Sequence, residues 1–219
     1  APTPAPPAPT PAPPAPMPTP PATTPAPPAP MPAPPATMPA PPAPTPVHTS
    51  PPMPAASCGF EQKAQNGQFC GLWSLSMAGD FAWSRTSGPT PSSTTGPSGA
   101  AEGSYYLFIE ASGTVASGAV AILESNPLSF TENSAMSFKY NMYGSSMGSL
   151  SVEVNGAEVW SKSGDQGTAW LDGSVDLSGY KDSYPTIKFV ATKGQSWSSD
   201  VAIDDIDFVK PAVPTPAPT

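Results

Sequence analysis

Charged residues are absent from the first 60 positions of this 219-residue chain, which contain no Asp, Glu, Lys or Arg. Proline dominates instead, because residues 1–54 hold 27 of the 36 prolines. Proline fixes φ and lacks an N–H group, which excludes an α-helix and a β-ladder from this stretch. We therefore expect residues 1–56 to be a disordered stalk or linker of polyproline II character, and residues 211–219 to begin a second one. The alternative, a ligand of SH3-like domains, usually carries a flanking Arg or Lys, which is missing here.

Basic residues are scarce throughout. The chain has 8 Lys and Arg against 16 Asp and Glu, which gives a net charge of −8. This balance argues against nucleic acid as a partner, because nucleic-acid binding needs basic patches. No apolar run reaches the roughly 18 residues that a membrane-spanning helix needs, so we expect no membrane insertion within this chain. The chain starts at Ala1 without a signal-peptide pattern, and we expect it to be a segment of a longer multidomain protein.

Histidine is nearly absent too, since His48 is the only one and lies in the proline-rich stretch. The remaining domain, residues 57–210, therefore has no Ser-His or Cys-His pair of the kind that activates a nucleophile. A carboxylate pair such as Glu110 and Glu124 would be needed for glycosidase chemistry, but nothing in the spacing selects these two. We expect the chain not to be an enzyme.

Cysteine occurs twice, as Cys58 and Cys70. The even count, the close spacing and the linker context favour a disulfide in an oxidising, extracellular compartment. Two free buried thiols are the alternative. A zinc site is disfavoured, because two thiols are too few for tetrahedral coordination and the only histidine lies outside the domain.

Helical periodicity is missing as well, and short β-prone runs separated by turn signals fill the domain. The pair Asn155-Gly156 is a strong hairpin signal. A long Gly- and Pro-rich loop at 88–103 either frames a site or is a flexible surface loop. The pattern predicts an all-β domain, a two-sheet antiparallel sandwich of jelly-roll type. The predicted strands cover residues 104–112, 118–124, 135–143, 149–154, 158–161, 170–177, 186–192 and 201–209.

The last predicted strand carries two adjacent aspartates. In a regular strand, Asp204 shares one face with Ile206 and Phe208, and Asp205 shares the other with Ile203. Whichever face is buried, a carboxylate lies among apolar side chains. Such burial is costly unless the carboxylate is paired, hydrogen-bonded or bound to a metal.

Glu61, the first charged residue of the chain, is a natural partner for these aspartates across a shared cation. A hard cation such as calcium takes six to eight oxygen ligands. The alternative is that Glu61 and the aspartates accept hydrogen bonds from backbone N–H groups or pair with Arg85 or a lysine.

Six short motifs follow one another along residues 58–209. In this order they resemble the MAM domain, an extracellular adhesion module of receptor phosphatases, neuropilins and meprins. The motifs are Cys58-x-Phe60-Glu61, Cys70-x-x-Trp73, Asp80-Phe81-x-Trp83, Gly103-x-Tyr105-Tyr106-x-x-x-Glu110, Phe138-x-Tyr140-x-Met142-Tyr143-Gly144 and Ala202-Ile203-Asp204-Asp205-Ile206.

The resemblance implies a non-catalytic recognition or adhesion module, extracellular or at the cell surface. It also implies a structural calcium ion beside the Phe-Glu and Ile-Asp-Asp motifs. Its ligands would be Glu61 and Asp204 first, then Asp205 and Asp80. We expect a protein or glycan ligand at the cell surface, together with weak self-association.

Three positions depart from the family pattern. Ala82 and Ala100 stand where acidic residues are common, which puts a second or richer cation site in doubt. No cysteine lies near Ala135, where the family usually has the first residue of a second pair. Together these departures argue against homophilic adhesion of the animal type.

The five tryptophans offer a separate hypothesis. Four of them, Trp73, Trp83, Trp160 and Trp170, match core positions of the family. Trp197 lies in a polar Gly/Ser loop with no core pattern around it, and we expect it to be exposed as a ligand contact. Exposed tryptophans stack on sugars, so the alternative function is a carbohydrate-binding jelly-roll module that targets an attached domain to a glycan or cell wall.

Overall fold

The computed structural model describes residues 57–130 and 134–209. The stalk predicted at 1–56 and the linker predicted at 211–219 lie outside the described residues. Within these ranges the chain forms eleven β-strands and one short 3-10 helix, Ser178–Tyr180. None of the helical structure described here is long and apolar enough to cross a membrane.

The strands form two antiparallel sheets, which confirms the predicted sandwich. One sheet has the order β1-β2-β5-β10-β7-β8, and the other has the order β3-β4-β11-β6-β9. The strands are β1 Gln68–Phe69, β2 Trp73–Leu75, β3 Ser84–Ser87, β4 Tyr105–Phe108, β5 Val120–Ser125, β6 Ala135–Met142, β7 Ser149–Val154, β8 Ala157–Ser163, β9 Gly167–Asp176, β10 Ile187–Thr192 and β11 Val201–Val209.

The core lies between the two sheets. Strands β5, β7 and β10 alternate between buried and half-exposed residues along their whole length, because successive side chains point to opposite faces. Phe189 of one sheet meets Phe138 of the other edge to face, with ring centroids 4.9 Å apart. Alternating apolar residues thus place one row of side chains from each sheet into a shared core.

All eight predicted strands are present. The bounds of β7 and β11 coincide with the predicted ones, and the other six strands have shifted ends. Asn155 and Gly156, with φ of 52° and 81°, make the predicted turn between β7 and β8. Three further strands, β1, β2 and β3, were not predicted, and they have two to four residues each. Strands of this length are too short to show an alternating pattern.

A bulge in β11 corrects the predicted faces of that strand. The pairing of β11 with β6 shifts register between Asp204 and Asp207, and Asp205 has a left-handed φ of 46°. The extra residue reverses the alternation. Ile206 therefore lies in the main core with Ile203, whereas Asp204 is buried on the opposite, outer face of the sheet.

The first and last residues of the domain lie beside each other at one end of the sandwich. The Cys58 N–H donates to the Ile206 carbonyl at 2.6 Å, and the Ile206 N–H donates to the Cys58 carbonyl at 3.1 Å. Since β11 begins at Val201, the loop that contains Trp197 lies at the opposite end of the sandwich. Residues 57 and 209 thus leave the domain far from that loop.

Gly173 in β9 is required by the aromatic core. A Cβ at this position would collide with the ring of Phe138, which is 1% exposed and wedged against Phe189 and Trp160. We expect Gly173→Ala to lower the free energy of unfolding by about 1–3 kcal/mol through overpacking, measured by chemical denaturation. Gly179→Ala is the matched control, because a Cβ there would meet nothing within 4 Å. Equal unfolding midpoints for the two variants would contradict this assignment.

Candidate functional site

The long loop, residues 88–104, packs over the outer face of the five-stranded sheet; we call it the cap. The Tyr106 hydroxyl donates to the Gly88 carbonyl at 2.8 Å, and the Trp170 indole N–H donates to the Gly99 carbonyl at 2.9 Å. Thr90 and Thr95 of the cap are buried. The cap is therefore bonded to the sheet along its length, as a part of the fold.

A second apolar cluster fills the space beneath the cap. Tyr106, Phe108 and Ala202 are buried there, and Ala100 and Trp170 pack against them. The Tyr106 and Trp170 rings meet edge to face, with centroids 5.7 Å apart. The outer face of this sheet thus has a small core of its own.

Two carboxylates hold the last part of the cap. Asp204 is fully buried, and its Oδ2 accepts hydrogen bonds from the N–H groups of Ala101 and Glu102 at 2.9 and 3.1 Å. Glu61 is exposed, and its Oε1 accepts from the N–H groups of Ser104 and Tyr105 at 2.8 and 2.9 Å. The acidic motifs at the two ends of the domain are therefore joined through cap backbone.

The pKa values of the two carboxylates shift in opposite directions, because Asp204 is buried and Glu61 is exposed. Desolvation raises the pKa of Asp204 to about 6, although three backbone N–H groups, including that of Asp205, oppose the shift. The pKa of Glu61 is lowered, first by its hydrogen bond from the Ser104 N–H and then by that from Tyr105, with a further contribution from Arg85. Asp204 therefore carries its charge at a cost, whereas the exposed Glu61 does not.

Arg85 supplies a positive charge beside Glu61. Its Nε donates to the Phe60 carbonyl at 2.5 Å, and Nη2 donates to the Glu61 carbonyl at 2.6 Å. Its guanidinium carbon lies 3.5 Å from the centroid of the Tyr105 ring. The guanidinium of Arg85, in β3, thus bonds to the backbone of Phe60 and Glu61 through two hydrogen bonds. It also contacts Tyr105, in β4, through a cation–π interaction.

The four carboxylates predicted as calcium ligands do not fit one site. Asp80 is exposed and accepts a hydrogen bond from the Val120 N–H at 2.9 Å, away from Glu61 and Asp204. Asp205 is the bulge residue of β11. In the part of the chain described here, no group of three or more His, Cys, Asp or Glu side chains is arranged to hold a metal.

Many oxygens near Glu61 and Asp204 already accept hydrogen bonds. One oxygen of Glu61 and one of Asp204 each already accept two N–H groups, and Arg85 occupies the Phe60 and Glu61 carbonyls. Glu102, which the sequence analysis did not single out, lies nearby, since a Cβ on Gly59 would come within 2.7 Å of its carboxylate. A calcium ion here would therefore draw most of its six to eight oxygen ligands from groups other than the four predicted carboxylates.

The predicted disulfide is confirmed. Cys58 and Cys70, 12 residues apart, are joined with a Cα–Cα distance of 5.8 Å. The link ties the first segment to the turn that follows β1.

Reduction of this disulfide is expected to cost about 2–4 kcal/mol of unfolding free energy, because the closed loop restricts the unfolded chain. Denaturant unfolding with and without reductant measures the loss. A Cys58→Ser/Cys70→Ser double variant should be as unstable as the reduced protein and insensitive to reductant. Free thiols in the native, untreated protein would contradict the link.

At the far end of the sandwich, two loops are locked together; residues 143–148 and 193–200 form what we call the loop platform. The Ser199 hydroxyl is buried and accepts from the N–H groups of Gly148 and Gly194 at 3.1 and 2.8 Å. The Ser198 carbonyl accepts from the Ser146 N–H at 3.2 Å. A Cβ on either glycine would clash with backbone of the opposite loop, so the two glycines permit the close approach.

Asp200 anchors the platform to the cap. Its N–H donates to the Thr95 hydroxyl at 3.0 Å, and its Oδ1 accepts from the Ala111 N–H at 2.9 Å. Its Oδ2 is buried without a hydrogen-bond partner, and desolvation raises its pKa to about 6. Asp200 was not predicted from the sequence. It precedes Ala202 and Asp204 by two and four residues, and this spacing along a strand indicates the same outer face of the sheet.

The tryptophans divide as expected. Trp73 and Trp83 are buried, and Trp160 and Trp170 pack at the margins of the two apolar clusters. Trp197 is 47% exposed, in the middle of the loop platform. It is the tryptophan that the described residues leave most open to a ligand.

Comparison with known proteins agrees with these features. The family model described as MAM domain, meprin/A5/mu matches residues 58–212. Human MAM domain-containing protein 2 is 35% identical over 166 residues, which cover 72% of this chain and 23% of that protein. Neuropilin-1a of Danio rerio is 34% identical over 159 residues, which cover 67% of this chain and 17% of that protein.

Two further similarities bear on fold and context. MAM domain-containing glycosylphosphatidylinositol anchor protein 1 of Gallus gallus is 34% identical over 170 residues, covering 70% of this chain and 17% of that protein. The K1 cleaved adhesin domain of Lys-gingipain from Porphyromonas gingivalis W83 superposes with a TM-score of 0.52 at 13% identity, covering 71% of this chain and 97% of that domain. At this identity the second likeness shows the fold alone.

The chain spans less than a quarter of the length of these curated relatives. The family match extends over most of the chain and over both sheets of the sandwich. The chain belongs to the MAM domain family.

Proposed function

We propose that this chain is a non-catalytic recognition module of a larger protein that acts outside the cell or at the cell surface. The observation that carries the proposal is the family match over residues 58–212. The disulfide supports an oxidising compartment. A relative whose name describes a glycosylphosphatidylinositol anchor protein supports a position at the cell surface.

The arrangement of the acidic residues favours binding over catalysis. Glu110 and Glu124 are the carboxylate pair considered for glycosidase chemistry. Glu110 follows β4 of the five-stranded sheet, whereas Glu124 lies within β5 of the six-stranded sheet. Glu124 pairs with Lys188 at 3.5 Å, and the carboxylate of Glu110 accepts from the Ser112 N–H at 3.0 Å. Each carboxylate thus has a local partner, and nothing directs the two at a common substrate.

The placement of the domain ends suits a module that presents a surface. Residues 57 and 209 leave the domain at one end, and the loop platform lies at the other, along the length of β11. The platform therefore lies at the end of the described domain that is far from residues 57 and 209. Weak single contacts would gain avidity when several modules act together.

Binding of the full chain to cells tests this proposal. The chain is biotinylated at one terminus, assembled into tetramers on streptavidin and measured on a panel of cell types by flow cytometry. Tetramers carrying only a peptide of residues 1–56 are the matched control. Recognition predicts saturable binding of the full chain above this control; equal signals on every cell type would contradict it. Sedimentation of the free chain separately measures the expected weak self-association.

A further inference from the structure

We propose that the loop platform binds a neutral glycan, with the Trp197 indole as the stacking surface. The inference rests on the proposed recognition function and names the partner class. The exposed Trp197 side chain, the fixed backbone beneath it and the uncharged polar groups around it carry the proposal.

The backbone under Trp197 is fixed. The three residues that follow it, Ser198, Ser199 and Asp200, are at most 3% exposed. Ser198 contacts the neighbouring loop through its carbonyl and through its hydroxyl, which lies 3.1 Å from that of Ser145. Ser199 accepts two N–H groups, and Asp200 is bonded on both its N–H and its Oδ1. An indole on such a support binds a ligand with little loss of conformational entropy.

The side chain itself is not used for packing. Trp197 is 47% exposed and belongs to neither apolar cluster, whereas the other four tryptophans pack in or against one of them. Large aromatic side chains bury much apolar area when they are covered. The Trp197 indole extends from a fixed backbone and is left exposed. A ligand that packs on it would therefore bury a large apolar area.

The exposed and half-buried polar residues of the two platform loops beside Trp197 are uncharged. Gln195 and Ser145 are exposed, and Ser146 and Ser196 are half-buried. These amide and hydroxyl groups can exchange hydrogen bonds with sugar hydroxyls, while the apolar face of a pyranose ring covers the indole.

The platform is unsuited to the other partner classes. Its lysine, Lys193, is only 6% exposed. The nearby Asp165 carboxylate already accepts from Gly144 and Gly167 N–H groups. The platform residues thus offer no exposed cation to a sulfated or sialylated sugar. Within the loop platform, the other large apolar side chains are Met147 and Tyr143, and both are half-buried. The platform residues alone therefore do not form a protein-sized apolar patch.

The test uses streptavidin tetramers of the full chain on a printed array of neutral, sialylated and sulfated oligosaccharides. We expect binding to a subset of the neutral sugars, a loss of at least about ten-fold for Trp197→Ala, and an intermediate loss for Trp197→Phe, which keeps a ring. Tyr184→Ala is the matched control, because Tyr184 is 48% exposed and lies at the opposite end of the sandwich. Thermal unfolding confirms that each variant is folded.

The same tetramers on cells separate failure of this inference from failure of the proposed function. Loss of cell binding after enzymatic deglycosylation and in Trp197→Ala supports the glycan assignment. Cell binding that survives deglycosylation but not surface proteolysis would mean a protein partner, which overturns the glycan and leaves recognition intact. Cell binding unchanged by Trp197→Ala would overturn the platform. Binding to neither the array nor any cell type would overturn both proposals.

Discussion

Asp204→Asn is expected to lower the free energy of unfolding by about 2–3 kcal/mol, which is a large loss for a single substitution. The side chain is fully buried and its recorded partners are all donors: the N–H groups of Ala101, Glu102 and Asp205. Asparagine has one acceptor oxygen and an NH2 group. One carboxylate oxygen is therefore replaced by a donor that faces another donor.

Asp205→Asn is the matched control, because it changes the same atoms one residue away at a half-buried position. We expect it to alter stability by no more than about 0.5 kcal/mol. Amide hydrogen exchange gives a local measurement, since Asp204→Asn should release Ala101 and Glu102 selectively. Equal stability of the two variants, with unchanged exchange in the cap, would show that Asp204 does not hold this segment.

The second large effect is an unusual dependence of stability on pH. Burial raises the pKa of both Asp200 and Asp204 from 3.8 to about 6. A raised pKa means that the folded state binds protons more tightly than the unfolded state. The stabilisation is therefore complete below pH 3.8 and is lost as the pH rises through about 6. After allowance for solvent screening, we expect the two groups together to remove about 1–3 kcal/mol between pH 4 and pH 7.

Thermal unfolding between pH 4 and pH 8 measures this slope, and the unfolding temperature should fall as the pH rises. Asp200→Asn provides a sharp variant, because it keeps the Oδ1 that accepts from Ala111 and replaces the unpartnered Oδ2. It should stabilise the protein at pH 7.5 by about 1 kcal/mol and flatten the profile. A wild-type profile that rises from pH 5 to pH 7, as in ordinary acid denaturation, would contradict the burial of these two charges.

The sheets could be predicted because their information is local. In β5, β7 and β10 the alternation of apolar and polar residues, together with the Asn155-Gly156 turn, specifies both the strands and the buried face. The disulfide could be predicted because the chain has only two cysteines. These features depend on a few neighbouring residues and not on the full tertiary arrangement.

The contacts of the acids could not be predicted, because they depend on distant backbone. The bulge at Asp205 shows no sequence signal and reverses the faces of the rest of β11. The partners of Asp204 are main-chain N–H groups about a hundred residues away, in a loop whose path the sequence did not reveal. Burial of a carboxylate in β11 was correctly predicted to need partners. Calcium was the predicted partner and backbone N–H groups were the alternative, and Asp204 accepts from three such groups.

The structure explains one of the two positions, Ala100 and Ala82, at which an alanine replaces an acidic residue of the family pattern. Ala100 packs on the apolar cluster beneath the cap, beside Tyr106 and Phe108, where a carboxylate would meet aromatic rings. Ala82, in contrast, is exposed, and nothing in its surroundings explains the absence of an acid there.

We infer that residues 58–61 and strand β11 are fastened by the chain itself, through backbone N–H groups and Arg85. The direct test is thermal unfolding of the full chain in excess EDTA and then in excess calcium. We expect the same unfolding temperature in both. A calcium-dependent rise that disappears in Glu61→Gln or Asp204→Asn would contradict it and would restore these carboxylates as metal ligands.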